Sequence, residues 1–367
     1  MLNPFTKNIF AFILFYSGLI KVLRLLGRNY AKILVFHSIN DHETSFIRGT
    51  NVWIPPNSFE KHLKYIKRNY RVISLKKLVN SLKQGKLQPC SLVITFDDGF
   101  TDNFIYAFPI LQRYKIKGTI FLATDCINNR NPLWIQELYY LINNVGVERL
   151  IQTIITLTNK LEIPKLLIEF PLNKSLQVKV EEYMAFSLKK KIRDNLLAAL
   201  YRKYNFQRRK IFSQAKIYLN WDQIKQMKRD GIDFGNHGAS HTPFSAMSPD
   251  EQLDEIVNSK EIIEQNLEEF FLPFSYPYGM DWDFKATTKK ILIDTGHSCV
   301  LTAMATLNDK NTSPYELGRI VINNVPVHRL AFDMEKSVLK KYLKNINYIF
   351  RRAKNKLAIL MYGTGIL

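Results

Sequence analysis

The sequence predicts an α/β fold, a mainly parallel sheet or barrel covered by helices, and three observations carry that expectation. From Ala31 onward, short apolar runs of strand length alternate with segments of helical spacing. Several of the helical segments have readable starts. One apolar run ends directly in two carboxylates and a glycine, Leu92-Val-Ile-Thr-Phe-Asp-Asp-Gly99, at the kind of strand end where barrels of this class place their chemistry.

The first element, before the sheet, is an uncharged and largely apolar run from Asn8 to Ile20, ending at Lys21 and Arg24. It falls short of the roughly 20 apolar residues a membrane-crossing helix needs. No small-residue cleavage pattern of a signal peptide follows it. Residues 1–30 therefore read as a helix lying in the membrane interface. Phe10, Ile13, Leu14 and Ile20 would turn inward, with Lys21, Arg24 and Arg28 at the headgroups. A core helix under the domain and an uncleaved signal anchor are the alternatives.

The expected strands are Lys32 to Phe36, Leu92 to Phe96, Gly118 to Ala123, Ile232 to Gly235, Pro273 to Tyr276, Ser298 to Thr302 and Arg319 to Ile322. Asn57 with Glu60 forms a capping-box pattern, and Ser248, Pro249 and Glu251 announce a long helix to about Glu269. The region of about 131–214 breaks the alternation. It is rich in Leu, Ile and Lys with helical spacing, and reads as a helical insertion in a domain spanning 31–330. Lys189, Lys190, Lys191, Arg193, Arg202, Lys203, Arg208, Arg209 and Lys210 give it a basic block, relieved by Asp194. Such blocks are usually solvated helix faces; the functional reading is a surface held against anionic headgroups or substrate phosphate. Residues 331–367 read as a basic amphipathic helix, with Leu339, Leu343, Ile346, Phe350, Ala353 and Leu357 recurring at three or four residues.

Composition narrows the partners. The 367 residues are 46% hydrophobic, which excludes a disordered tail or a fibre, and no repeat signals a solenoid or propeller. Lys and Arg number 52 against 32 Asp and Glu, a net charge of +20, so a long-lived partner would be anionic. Charge alone does not make a nucleic-acid binder, and the sequence has no recognition module for one. Cys90, Cys126 and Cys299 are odd in number and widely spaced, which argues against a disulfide framework or a thiolate zinc site and fits a reducing compartment.

Two carboxylates at a buried strand end need a cation, a proton or water. Alone, they are more often a turn or a helix cap. Phe234-Gly-Asn-His-Gly-Ala-Ser-His241 adds two imidazoles four residues apart, a spacing that brings both to one face of a helical turn. One carboxylate and two histidines would give a metal three protein ligands and leave positions open for water and substrate. By itself His-x-x-x-His is weak, since surface histidines need no role.

Together with Leu34-Val-Phe-His37, Ile73-Ser-Leu75, Thr119-Ile-Phe121, Ser248-Pro-Asp-Glu251 and Phe274-Ser-Tyr-Pro-Tyr-Gly279, these motifs closely resemble the polysaccharide deacetylases of the NodB-homology group, carbohydrate esterase family 4. The likeness runs from Ile33 to Ile322. It implies a distorted, incomplete (β/α) barrel, a divalent metal usually taken to be zinc (Zn2+), and hydrolysis of N-acetyl groups from amino sugars. Carried over by position, Asp97 is the general base, Asp98, His237 and His241 are the metal ligands, and the backbone N–H of Tyr278 is the oxyanion donor.

Two departures stand out. Many family members place Arg two residues before the proline to fix the base; here that residue is Ser275. The C-terminal Leu-x-His that supplies the acid is not recognisable, so His37 becomes the leading substitute, ahead of His297 and His328. His42 and His62 read as ordinary loop or helix-surface residues. Phe100, Trp134, Tyr276, Tyr278 and Trp282 are candidates to stack on sugar, with Trp134 and Trp282 foremost. The expected substrate is an N-acetylated amino-sugar polymer or lipid-linked saccharide, met at an anionic membrane on the cytoplasmic face of the bacterial inner membrane. A catalytically silent glycan-binding module of the same fold is the alternative.

Overall fold

The computed structural model describes residues 3–160, 175–268 and 271–363. Eight strands form one sheet: β1 (Lys32–Phe36), β2 (Arg71–Val72), β3 (Ser91–Phe96), β4 (Gly118–Leu122), β5 (Asp233–Asn236), β6 (Phe274–Ser275), β7 (Val300–Leu301) and β8 (Ile320–Val321). Their order is β8-β1-β3-β4-β5-β6-β7, with β2 beside the start of β3, and every pairing is parallel. Among the described residues β7 and β8 share no ladder; Leu301 and Leu317 bridge the gap between them. The sheet is therefore a curled, incomplete barrel, as the sequence predicts.

The helices are α1 (Pro4–Tyr16), α2 (Leu19–Leu26), α3 (Pro56–Asn69), α4 (Leu75–Lys83), α5 (Phe108–Tyr114), α6 (Trp134–Val145), α7 (Val147–Lys160), α8 (Leu176–Glu182), α9 (Lys190–Lys203), α10 (Arg208–Ala215), α11 (Trp221–Arg229), α12 (Pro249–Leu267), α13 (Ala286–Asp294) and α14 (Val327–Gly363). Alternation along the strands separates two cores. Leu34, Phe36, Ile94, Phe96 and Ile120 pack with residues of α3, α5, α11 and α14, whereas Ile33, Val93, Phe121 and Leu301 pack with α4. Gly235 makes room for this second set: a Cβ there would lie 2.6 Å from the Phe121 ring. Parallel pairing sends every strand's carboxyl end to one end of the barrel, so His37, Asp97, His237 and Tyr276 gather there.

Several local expectations are corrected. Asn57 does not cap α3; Pro55 stands at the N-cap and Pro56 begins the helix, leaving Asn57 inside its first turn. Ser248 and Glu251, by contrast, form both halves of their capping box on α12. Ser38–Ile39 and Trp53–Ile54 make a small second sheet that two-residue strands are too short to announce.

Within 131–214 the described chain is helical. The segments α6 to α10, with a π-helical turn at Tyr183–Ser187, build their own apolar core around Leu138, Leu141, Leu150, Met184 and Leu197. Its basic block is not a uniform solvated face. Arg193 is buried, and Arg208 forms a paired contact with the buried Glu137 carboxylate.

At the amino terminus α1 and α2 meet at an 83° bend. Gly18 sits there with φ +82°, a value glycine adopts without strain. Ala11, Leu14, Ile20 and Leu23 pack on Ala331 and Phe332 of α14. Leu14 and Ile20 thus face the protein, not a membrane. The outer face leaves Phe5, Ile9, Phe12, Ile13, Tyr16, Leu19, Val22 and Leu25 exposed. No single helix among the described residues is long and apolar enough to cross a membrane; α1 and α2 pass that test only together, as a bent pair. On α14, Leu330, Met334 and Val338 are buried, and Glu335 accepts from Tyr70 Oη (2.5 Å) and pairs with Lys32 Nζ (3.2 Å). Leu343 and Ile346 of the expected stripe are exposed, while Phe350, Ala353 and Leu357 lie outside the described side chains.

Candidate active site

The site is assembled from two strand ends. Asp97 N donates to Phe36 O (3.0 Å), extending the β1–β3 ladder, and the chain then turns sharply through Asp98 (φ +71°) and Gly99 (φ +69°). His237 N donates to Leu122 O (2.9 Å) beyond β5, and the loop runs to His241 at φ +55°. The two histidines therefore come together on a loop, not on the helical turn the spacing suggests. Their ring centroids lie 5.2 Å apart. Glu255 of α12 holds this loop by accepting from Ala239 N (2.9 Å), Ser240 N (2.5 Å) and Ser240 Oγ (2.8 Å). Positive φ at Asp98 and His241 carries strain of the order of 1–3 kcal/mol each, which persists only where the surroundings over-determine it.

Asp98 Oδ1 lies 3.5 Å from His237 Nε2 and 3.3 Å from His241 Nε2. One ligand atom from each of the three residues fits within 4.8 Å of the others. His237 Nδ1 meets the carbonyl oxygen of Ser275 at 2.7 Å, and a carbonyl only accepts, so Nδ1 carries the proton and Nε2 keeps its lone pair for the centre. Asp98 Oδ1 is buried with no hydrogen-bond donor among the described residues. Burial alone would raise its carboxyl, but His241 and His237 beside it hold it well below the usual range. An ionised carboxylate and two imidazoles converging on one point is the donor set a divalent cation takes, with further positions left for water and substrate.

Asp97 is held differently. Arg319 Nη1 and Nη2 donate to its two oxygens, each at 2.8 Å, in a bidentate pair. Arg319 Nη2 also donates to Ser275 Oγ (2.7 Å), which reaches Asp97 Oδ2 at 3.3 Å, while Arg319 Nε donates to Thr302 O (3.0 Å). Burial would push the Asp97 carboxyl up; the Arg319 guanidinium brings it below its ordinary value. Arg319 stands just before β8 and crosses to the far strand end, so Ser275 and Arg319 together fill the place left by the arginine absent before Pro277. Sequence reading missed Arg319. Its only signal is a lone arginine after Gly318, opening an apolar strand.

The remaining candidates separate. His37 follows β1 and its Nδ1 is buried without a hydrogen-bond partner among the described residues. Burial lowers its imidazole below the ordinary value, opposed by Asp98 and Asp97 nearby. The Tyr278 N–H does not stand free as an oxyanion donor: buried Asp283 collects it (3.2 Å) along with the N–H groups of Gly279 (3.0 Å) and Phe244 (3.0 Å). The Tyr278 ring lies 5.6 Å from that of His241. His297 is buried between Asn236 Nδ2 (3.2 Å) and Thr295 Oγ1 (3.1 Å), and His328 meets Asn8 Oδ1 (2.9 Å) on α1; neither joins the cluster. His42 is a surface residue beside Asp41, whereas His62, expected at a helix surface, is buried with Nε2 on Val325 O (2.7 Å). Of the aromatics, Phe100, Trp134 and Tyr276 are buried in packing and are not exposed stacking platforms. Trp282 is exposed, with Phe186 of the insertion at 4.8 Å.

A family model described as Polysaccharide deacetylase matches residues 84–150 and 183–300, half of the chain, broken within the helical insertion. The chain belongs to the polysaccharide deacetylase family, whose members hydrolyse N-acetyl amide bonds. Among its relatives is YxkH of Bacillus subtilis, which carries the polysaccharide deacetylase name and is 21% identical over 79% of this chain and 71% of its own length. The poly-beta-1,6-N-acetyl-D-glucosamine N-deacetylase of Staphylococcus aureus is 34% identical over 29% of this chain and 38% of its own. In fold, the chain is similar to the Streptococcus pyogenes deacetylase PplD (TM-score 0.55, 18% identity, 84% of this chain and 99% of that one) and to IcaB from Ammonifex degensii (TM-score 0.53, 16%, 84% and 97%).

Proposed function

We propose that this protein is a metal-dependent hydrolase that removes N-acetyl groups from the amino sugars of a cell-surface polysaccharide or its lipid-linked precursor. The observation that carries this reading is the convergence of Asp98, His237 and His241 within 4.8 Å beside an aspartate fixed by Arg319. A divalent cation bound there, for which we take zinc, would polarise the acetamide carbonyl and acidify the attacking water. Asp97 does not share the ligand cluster, so it is the base that takes the water's proton. Arg319 and Ser275 fix its two oxygens and keep it ionised. His37, held near both carboxylates, is assigned to protonating the leaving amine. Tyr278 forms a wall of the site beside His241.

Poly-N-acetylglucosamine is the first substrate class to try, since the S. aureus relative is named for it. A membrane contact is the second part of the proposal, and the placement of α1 supports it. β8 is parallel to β1, so the chain leaves it at the catalytic end, and there His328 meets Asn8 of α1. The exposed apolar face of α1 and α2, with Lys21 and Arg28 beside it, would seat that end on anionic lipid at the cytoplasmic face of the inner membrane. Acetate release from N-acetylglucosamine oligomers, abolished by chelator and restored by zinc, tests the reaction. Absence of acetate with glycan binding intact would instead favour the silent binding module.

A further inference from the structure

Arg193 is 1% exposed, yet the mechanism above makes no use of it. It comes from α9 and reaches the segment just past His241, where its Nη2 donates to Thr242 Oγ1 (2.7 Å). Its guanidinium lies over Trp134 at 4.6 Å, and Trp134 Nε1 donates to His241 O (3.0 Å). Among the described residues Nε and Nη1 find no hydrogen-bond acceptor; the nearest carboxylate, Asp194 Oδ1, is 3.7 Å from Nε. A buried cation with unmet N–H groups is costly unless an oxygen arrives to accept from them.

Arg193 lines a hollow of about 260 Å³, shared with Lys190, Asp194, Asp125, Trp134 and Ser240. A second hollow of about 270 Å³ adjoins it across Asp125 and Lys190, walled by Thr242, Glu255 and Asn258. Each is just below the roughly 300 Å³ at which small-molecule sites begin, and the pair together lies within that range. Donors and carboxylate acceptors are interspersed along both, a pattern that matches sugar hydroxyls and amide oxygens better than a phosphate, which Asp125 and Asp194 would repel.

We propose that these hollows form a second carbohydrate subsite, taking one or two pyranose units of the glycan away from the scissile acetamide, with Arg193 donating to a ring substituent. This rests on the deacetylase reading for its choice of ligand. The insertion then does more than cover the barrel: it extends the substrate site on the outer side of the His241 loop.

The test uses the full chain carrying Asp97→Asn, so that ligand is not consumed, titrated calorimetrically with N-acetylglucosamine and its oligomers of increasing length. Affinity rises with length in this parent. In a background that also carries Lys190→Gln and Asp194→Asn, two exposed rim residues whose loss leaves the core intact, the gain from length falls by about tenfold while the monosaccharide binds as before. Arg193→Met gives the same loss where it folds. Equal binding of every length by parent and rim variant overturns the proposal, as does displacement of the oligomer by inorganic phosphate, which would make the site an anion site. Acetate release by the unmutated chain is read separately; its absence alongside length-dependent binding would overturn the deacetylase reading and leave the subsite standing.

Discussion

At its strand ends the protein buries charge, and on its amino-terminal helices it exposes apolar side chains. Asp97, Asp98, His237 and Arg319 are each 5% exposed or less, while Phe5, Tyr16 and Leu25 are each more than 60% exposed. Either arrangement is unfavourable for an isolated domain: buried ions lose hydration, and apolar groups in water forgo burial. The two regions settle the cost differently. At the barrel end Arg319 answers Asp97 from inside the chain, and the Asp98 cluster keeps an unmet demand for a cation. On α1 and α2 the inner face packs on α14 while the outer face stays largely exposed among the described residues, so its demand is for an apolar phase outside.

The sharpest way to break this contrast is to remove a ligand. Asp98→Ala and His241→Ala are each expected to lose bound metal, measured on the purified protein, and acetate release with it. A metal content equal to wild type would dissolve the distinction between the two aspartates. Asp97→Asn keeps the metal and lowers turnover on the order of 10²–10⁴-fold, the usual range for a general base.

Arg319→Met comes next. It leaves a buried carboxylate without its cation, a change that typically destabilises by about 3–5 kcal/mol. Its effect on pH dependence has a definite sign. Asp97 sits below its ordinary value because Arg319 outweighs burial, so its contribution to stability is present above the unfolded carboxyl range and is lost as pH falls through the folded value. With Arg319 gone, burial alone acts and the carboxyl rises. The acid limb of kcat/KM therefore moves to higher pH, and metal content does not change. An acid limb that stays in place would mean that Arg319 is a strut rather than the group that keeps the base ionised.

How much of this could be read from the sequence divides along the same line. Strands β1, β3 and β4 were legible because they are five- and six-residue apolar runs, and Asp97, Asp98, His237 and His241 because local motifs carry them. Arg319 was hidden because its partner lies 222 residues away and nothing local marks it. The burial of Leu14 and Ile20 was misjudged for a related reason. Both faces of α1 and α2 are apolar, so periodicity alone could not tell which one α14 would cover. The Tyr278 N–H, the oxyanion donor that the resemblance implies, is taken by Asp283 five residues on, and nothing local marks Asp283 as the acceptor of three backbone N–H groups.

The outer face of α1 is tested by charge. Ile9→Glu with Ile13→Glu changes two exposed side chains and none of the cluster packed on α14. Full burial of such a side chain is worth about 1.5–3 kcal/mol, so partition onto anionic vesicles is expected to fall at least tenfold for each. Acetate release from a soluble oligomer should stay at the wild-type rate. Unchanged flotation of the double variant would remove the membrane from the comparison and leave the exposed face to a protein partner.

The smallest expected effect concerns a buried carboxylate at the same end with no cation beside it. Asp102 accepts from Ser38 Oγ (2.5 Å), Ile39 N (3.1 Å) and Asn103 Nδ2 (2.9 Å). Burial nevertheless pushes its carboxyl up to about 6, from an unfolded value of roughly 4. A folded value raised in this way gives stability that is complete below the unfolded value and is lost as pH rises through the folded one. The loss is at most about 3 kcal/mol, two units at 1.36 kcal/mol each. Asp102→Asn keeps an acceptor for Ile39 and cannot ionise, so its stability relative to wild type should climb between about pH 4 and pH 7 in urea unfolding. Asp97, also buried but paired, shows the opposite slope, and only below about pH 4, between its lowered folded value and the unfolded one. If the wild-type-to-variant difference for Asp102 is flat across the higher range, three neutral donors are compensating the charge as fully as Arg319 does for Asp97, and ion pairing is not what sets the catalytic carboxylate apart.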